Sequence, residues 1–104
     1  MIRYCFDLDN TICTTKNGDY HKSIPIDGRI KRINKLYDAG HIIIIDSARG
    51  SETDINWVDF TKNQLAKWGL KYHVLRTGVK FFADYYIDDS AINSEEFFNE
   101  YSLK

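Results

Sequence analysis

The run Tyr4-Cys5-Phe6-Asp7-Leu8-Asp9-Asn10-Thr11 constrains this chain more than any other stretch: an apolar segment stops abruptly at two aspartates, two positions apart. Residues two apart in a strand point to the same side, so the spacing predicts both carboxylates on one side of the chain. Open α/β sheets keep their ligands at the carboxyl ends of their strands. There, one carboxylate can attack phosphorus while its neighbour handles protons. A strand that merely ends in a polar turn uses the same residue types, and this segment alone leaves both readings open.

Later segments repeat the pattern. His41-Ile42-Ile43-Ile44-Ile45 ends in Asp46-Ser47-Ala48-Arg49-Gly50, and Ala83-Asp84-Tyr85-Tyr86-Ile87 ends in Asp88-Asp89-Ser90, with Lys80 a short way ahead. A DxDxT motif, a hydroxyl after a second strand, a lysine and a late acidic pair, in that order, resemble the haloacid dehalogenase-like (HAD) phosphohydrolase superfamily. The resemblance spans nearly the whole chain. Within the superfamily the chain is similar to very small, capless members associated with bacterial capsular polysaccharide loci. It shares their short insert after DxDxT, the Ala48-Arg49-Gly50 sequence and an ending similar to Ile87-Asp88-Asp89-Ser90-Ala91-Ile92-Asn93.

At 104 residues the chain reads as one domain, 1–104, near the lower end of what supports a packed core. A hydrophobic content of 43% with 14% aromatics argues against disorder. The net charge of −1 gives no electrostatic case for nucleic acid. No apolar run approaches the roughly 20 residues that cross a bilayer, and the start lacks a signal-peptide pattern, so a cytoplasmic location is expected. Cys5 and Cys13 are too few for a disulfide framework; Cys5, inside the first strand, is expected to act as a small core hydrophobe.

Residues 2–8 read as a buried strand. Asn17-Gly18 between β-prone runs is a strong hairpin signal and predicts a β-hairpin flap over about 11–24, directly after the acidic motif. Ile26, Ile30, Ile33, Leu36 and Tyr37 recur at helical spacing between Pro25 and Gly40. A strand over about 41–46, a helix from about Asp54 to Trp68, and strands at Lys71–Arg76 and Asp84–Asp88 follow. Asn93 with Glu96 resembles a capping box opening a final helix that contains Phe97, Phe98 and Tyr101. The alternation predicts a Rossmann-like, mainly parallel sheet with helices on both faces, a three-layer α/β/α arrangement. Only eight residues separate Arg76 from Tyr85, fewer than a helical crossover needs.

The resemblance implies a chemistry for these residues. Asp7 would be the nucleophile and Asp9 the acid, then the base. Ser47 would hydrogen-bond the transferring phosphoryl, and Lys80 would hold Asp7 and screen phosphoryl charge. Asn10, Thr11, Ala48 and Arg49 would border the substrate. Mg²⁺, an ion that prefers oxygen ligands, would be held by Asp7, Asp9 and the late pair, Asp88 or Asp89, with Asp88 favoured. A large cap is absent from the pattern.

Two features leave alternatives open. Arg49 either grips a phosphate or carboxylate with its fork or pins its own loop. Asp46 stands where relatives carry an apolar residue, and it either joins the acids or, by strand alternation, points away. Arg29, Lys31, Arg32 and Lys35 interleave with the apolar stripe of their helix and read as a solvated outer face. His21, His41 and His73 lack metal-ligand spacing. The expected activity is a phosphatase for a small phosphorylated metabolite, a sugar or polyol precursor of surface polysaccharide. A polynucleotide 3′-phosphatase, suggested by Ser-Ala-Arg-Gly-Ser with Trp57 and Trp68, and a non-catalytic protein that keeps the fold are the alternatives.

Overall fold

A computed structural model describes residues 1–53 and 55–101; of Glu100 and Tyr101 it describes the backbone alone. Strands β1 (Arg3–Phe6), β4 (Ile42–Asp46) and β5 (Val74–Arg76) form a parallel sheet in the order β1-β4-β5. Strands β2 (Cys13–Thr14) and β3 (Ile24–Pro25) pair antiparallel as a separate ribbon. Helices α1 (Asp27–Asp38) and α2 (Val58–Trp68) make the two crossovers, and a short α3 (Ser94–Glu96) continues into a π-helical turn, Phe97–Tyr101. The start of the predicted second helix, Asp54, lies outside the described residues. No helix among the described residues is long and apolar enough to cross a membrane.

Register explains the core. Tyr4 is opposite Ile43, Phe6 is opposite Ile45, and Ile45 is opposite Leu75, so these side chains share one face of the sheet. Phe6, Ile43 and Ile45 join Ile30, Ile33 and Leu36 of α1, Leu65 of α2, and Phe97 and Phe98 in one buried cluster. Ile42, Ile44 and Asp46, on the other face, are half-buried, while Arg3 and Cys5 are exposed. The chain advances from β1 to β4 to β5 in one direction. Right-handed crossovers then place both helices on the same side. Among the described residues the sheet is therefore covered by helices on one face, where helices on both were expected.

The missing cover traces to the predicted fourth strand, which does not form: residues 81–93 are exposed and carry no strand, Ile87 at 98%. A parallel strand beside β1 must be reached from Arg76 by a dozen or more residues, and the chain supplies too few. Cys5, expected in the core, is exposed for the same reason.

The hairpin flap forms in shortened shape. Asn17 and Gly18, at φ +54° and +67°, make the tight turn, closed by the Asp19 amide donating to the Lys16 carbonyl at 3.0 Å. Both central residues have positive φ, which Asn and Gly tolerate best. The predicted strand on the return side is instead a 3-10 turn, Tyr20–Lys22, leaving two-residue strands at the base.

Candidate active site

Leu8 is fully buried and its carbonyl accepts the amides of Thr11, Ile12 and Cys13. This winds the chain sharply after β1, with Asn10 at φ +63°. With Leu8 anchored inward, Asp7 and Asp9 both line a pocket of about 280 Å³ with Asn10, Ala48, Arg49, Thr15, Gly18, Tyr20, Phe82, Ala83 and Tyr86. The strand-end region, the flap and the loop after β4 thus meet around the two acids.

Asp7 is half-exposed and held at both oxygens. Lys80 donates to Oδ1 at 3.1 Å and the Thr11 hydroxyl to Oδ2 at 3.1 Å. The segment bearing Lys80 is tied to the loop after β4: Gly78 lies beside Gly50, and the Ser51 hydroxyl donates to the Lys80 carbonyl. Gly50 sits at φ +82°, and a Cβ there would lie 2.7 Å from the Ile55 carbonyl oxygen. The Lys80 ammonium also rests over the Tyr86 ring, 4.5 Å from its centroid.

Asp9 is held by Arg49 as a two-point fork, Nε to Oδ2 at 2.9 Å and Nη2 to Oδ1 at 2.8 Å. Thr15 adds a 2.6 Å bond to Oδ1. The Arg49 side chain is fully buried, and its other donors reach Thr61, Gln64 and Ser23. In this geometry the guanidinium holds side chains of other segments rather than its own loop. Burial, then the nearby Asp9, push the Tyr20 phenol above its ordinary range, and burial does the same for the Cys13 thiol.

Ser47 does not line the pocket: it is buried, and its hydroxyl oxygen accepts the Arg49 amide at 3.1 Å. Asp46 turns away and makes its own fork with Arg76, at 3.0 and 2.9 Å, on the opposite strand position. Asp88 and Asp89 stay in the exposed turn before Ser90, whose amide holds the Asp88 carboxyl below its ordinary range. They do not line the pocket. Among the described residues no group of three or more His, Cys, Asp and Glu is placed to hold a metal ion; of the expected Mg²⁺ ligands, Asp7 and Asp9 line the pocket and Asp88 and Asp89 do not. Arg29, expected on a solvated face, is half-buried, donates to the Thr11 carbonyl at 2.9 Å and pairs with Glu95. Thr15, Tyr20, Ser23, Thr61 and Gln64 were not singled out as site residues from sequence. Their common partners, Asp9 and Arg49, lie in other segments, and no local spacing marks them.

No family model matches the chain, and no curated protein matches it. Two solved structures do. The crystal structure of an MCSG target from Vibrio cholerae superposes with a TM-score of 0.80 at 24% identity, over 93% of this chain and 87% of that one. The structure of a Pnkp1/Rnl/Hen1 complex aligns with a TM-score of 0.57 at 21% identity, over 95% of this chain and 33% of that one. The likeness is one of fold: a small α/β domain with a mainly parallel sheet.

Proposed function

We propose that the chain is a HAD-type phosphohydrolase that cleaves a phosphate monoester through an aspartyl-phosphate on Asp7. The observation that carries this reading is the Lys80–Asp7 contact at 3.1 Å, made beside Asp9 in one pocket. A carboxylate with a cation on one oxygen and a hydroxyl on the other is oriented for attack, and the ammonium is placed to screen charge on the phosphoryl oxygens. An Asp7 oxygen bonds to phosphorus as the ester P–O bond breaks, and Asp9 gives the departing oxygen a proton. Water then attacks the phosphorus of the acyl phosphate, giving a proton to Asp9 as its oxygen bonds, and phosphate leaves with the Asp7 carboxylate restored.

Mg²⁺ belongs to this reading through the family resemblance, and no step above is routed through it. The proposed substrate is a phosphorylated sugar or polyol of surface polysaccharide synthesis. Its support is the likeness to capsule-locus members in Ala48-Arg49-Gly50 and in Ile87-Asp88-Asp89-Ser90-Ala91-Ile92-Asn93. A panel of sugar phosphates, nucleotides and 3′-phosphorylated oligonucleotides, run with Mg²⁺ and with chelator, tests it. Turnover of sugar or polyol phosphates that chelator abolishes is expected. Turnover of oligonucleotide ends alone would shift the substrate class, and no turnover of any member would remove the phosphatase reading.

A further inference from the structure

The Asp9 carboxylate is held by contacts that also hold the flap. Arg49 has five N–H donors. They reach Asp9 Oδ2 from Nε, Asp9 Oδ1 and Ser23 Oγ (3.5 Å) from Nη2, and Thr61 Oγ1 (3.2 Å) and Gln64 Oε1 (2.7 Å) from Nη1. None is left to reach a substrate. A planar fork fixes the plane of the carboxylate it grips. Oδ1 accepts from both Arg49 and Thr15, whereas Oδ2 accepts from Arg49 Nε. Oδ2 therefore has the lone pair with room for proton exchange.

Three flap residues complete the arrangement. Tyr20 lies against Arg49, with the guanidinium carbon 4.5 Å from its ring centroid. Thr15 and Ser23 share a 2.6 Å hydroxyl contact across the base of the flap. Gln64 of α2 holds both parts at once: its Oε1 accepts from Arg49 and its Nε2 donates to the Tyr20 carbonyl at 2.8 Å. Lifting the flap would strip Asp9 of the Thr15 bond and Arg49 of its Ser23 and Tyr20 contacts.

We infer that Arg49 is a positioning residue that orients Asp9 for proton transfer, and that Gln64 and Tyr20 make this orientation depend on the flap being seated. This rests on the phosphatase reading and goes beyond it, because it predicts which substrates suffer when the clamp is loosened. An alkyl phosphate has a poor leaving group that needs Asp9's proton, while p-nitrophenolate leaves without one. The quantity to compare is kcat/KM, which covers steps through loss of the leaving group.

The experiment measures kcat/KM on glycerol phosphate and p-nitrophenyl phosphate for the wild-type chain, Arg49→Lys and Gln64→Met, with thermal melts of each. Arg49→Lys keeps the charge and loses the fork. It should lose about 10²-fold on glycerol phosphate and less than about tenfold on the aryl ester, as expected when proton transfer is impaired. Gln64→Met, at a half-buried helix position, should show the same selectivity with a smaller loss, and it carries the test if Arg49→Lys does not fold. Equal losses on both esters would make the clamp merely structural and overturn the inference while leaving the phosphatase reading intact. A wild-type chain that turns over neither ester overturns both.

Discussion

Lys80 Nζ lies 3.1 Å from Asp7 Oδ1, although 73 positions separate the two residues. The Lys80 segment and the loop after β4 meet where Gly78 lies beside Gly50, and the Ser51 hydroxyl holds the Lys80 carbonyl. The Lys80–Asp7 contact is the point at which the end of β1 and the segment after β5 become one site.

Replacing that cation tests its electrostatic role. Lys80→Met keeps the length of the side chain and removes the charge. Turnover should fall about 10²–10³-fold, the range seen when one preorganised charge stabiliser is lost, with circular dichroism unchanged. Lys80→Arg should recover part of it. Wild-type activity in Lys80→Met would show that the contact is no part of catalysis.

The loop after β4, against which the Lys80 segment lies, should be sensitive to a single methyl group. Gly50→Ala forces a side chain into positive φ, and its Cβ would meet the Ile55 carbonyl at 2.7 Å. A cost of about 1–3 kcal/mol is expected, which lowers Tm by about 4–8 °C per kcal/mol in a domain of this size. An unchanged melting temperature would mean the loop is not packed as described.

The two thiols report on the uncovered face of the sheet. Cys5 is exposed, whereas Cys13 is fully buried and its thiol is pushed up by that burial. A thiol reagent should modify Cys5 in the native protein and reach Cys13 only on unfolding. Protection of both would indicate that the free edge and outer face of β1 are covered in solution.

Parts of this architecture were legible because they depend on neighbours in sequence. Alternation about Leu8 is enough to put Asp7 and Asp9 on one side, and Asn17-Gly18 is enough to make a turn. The fate of Asp84–Asp88 was not legible. Its apolar content suits a strand, but pairing depends on whether the chain can reach the free edge of β1, and the connection from Arg76 is too short. Asp46 and Arg49 were ambiguous for a related reason. Each is decided by partners far along the chain: Arg76 for the first, and Asp9, Ser23, Thr61 and Gln64 for the second. The three-layer expectation failed with the fourth strand, since two crossovers in one direction cover only one face.

The most direct test of covalent catalysis on Asp7 is to trap the intermediate. The wild-type chain, Asp7→Asn and Asp9→Asn are mixed with p-nitrophenyl phosphate and Mg²⁺, quenched in acid, and analysed by intact mass and peptide mapping. Asp9→Asn should accumulate one added phosphoryl group, mapped to Asp7, because the aryl leaving group departs unaided while water attack lacks its base. Asp7→Asn should carry none and should not turn over. Turnover by Asp7→Asn at the wild-type rate, or a phosphoryl group mapped to another residue, would contradict the account.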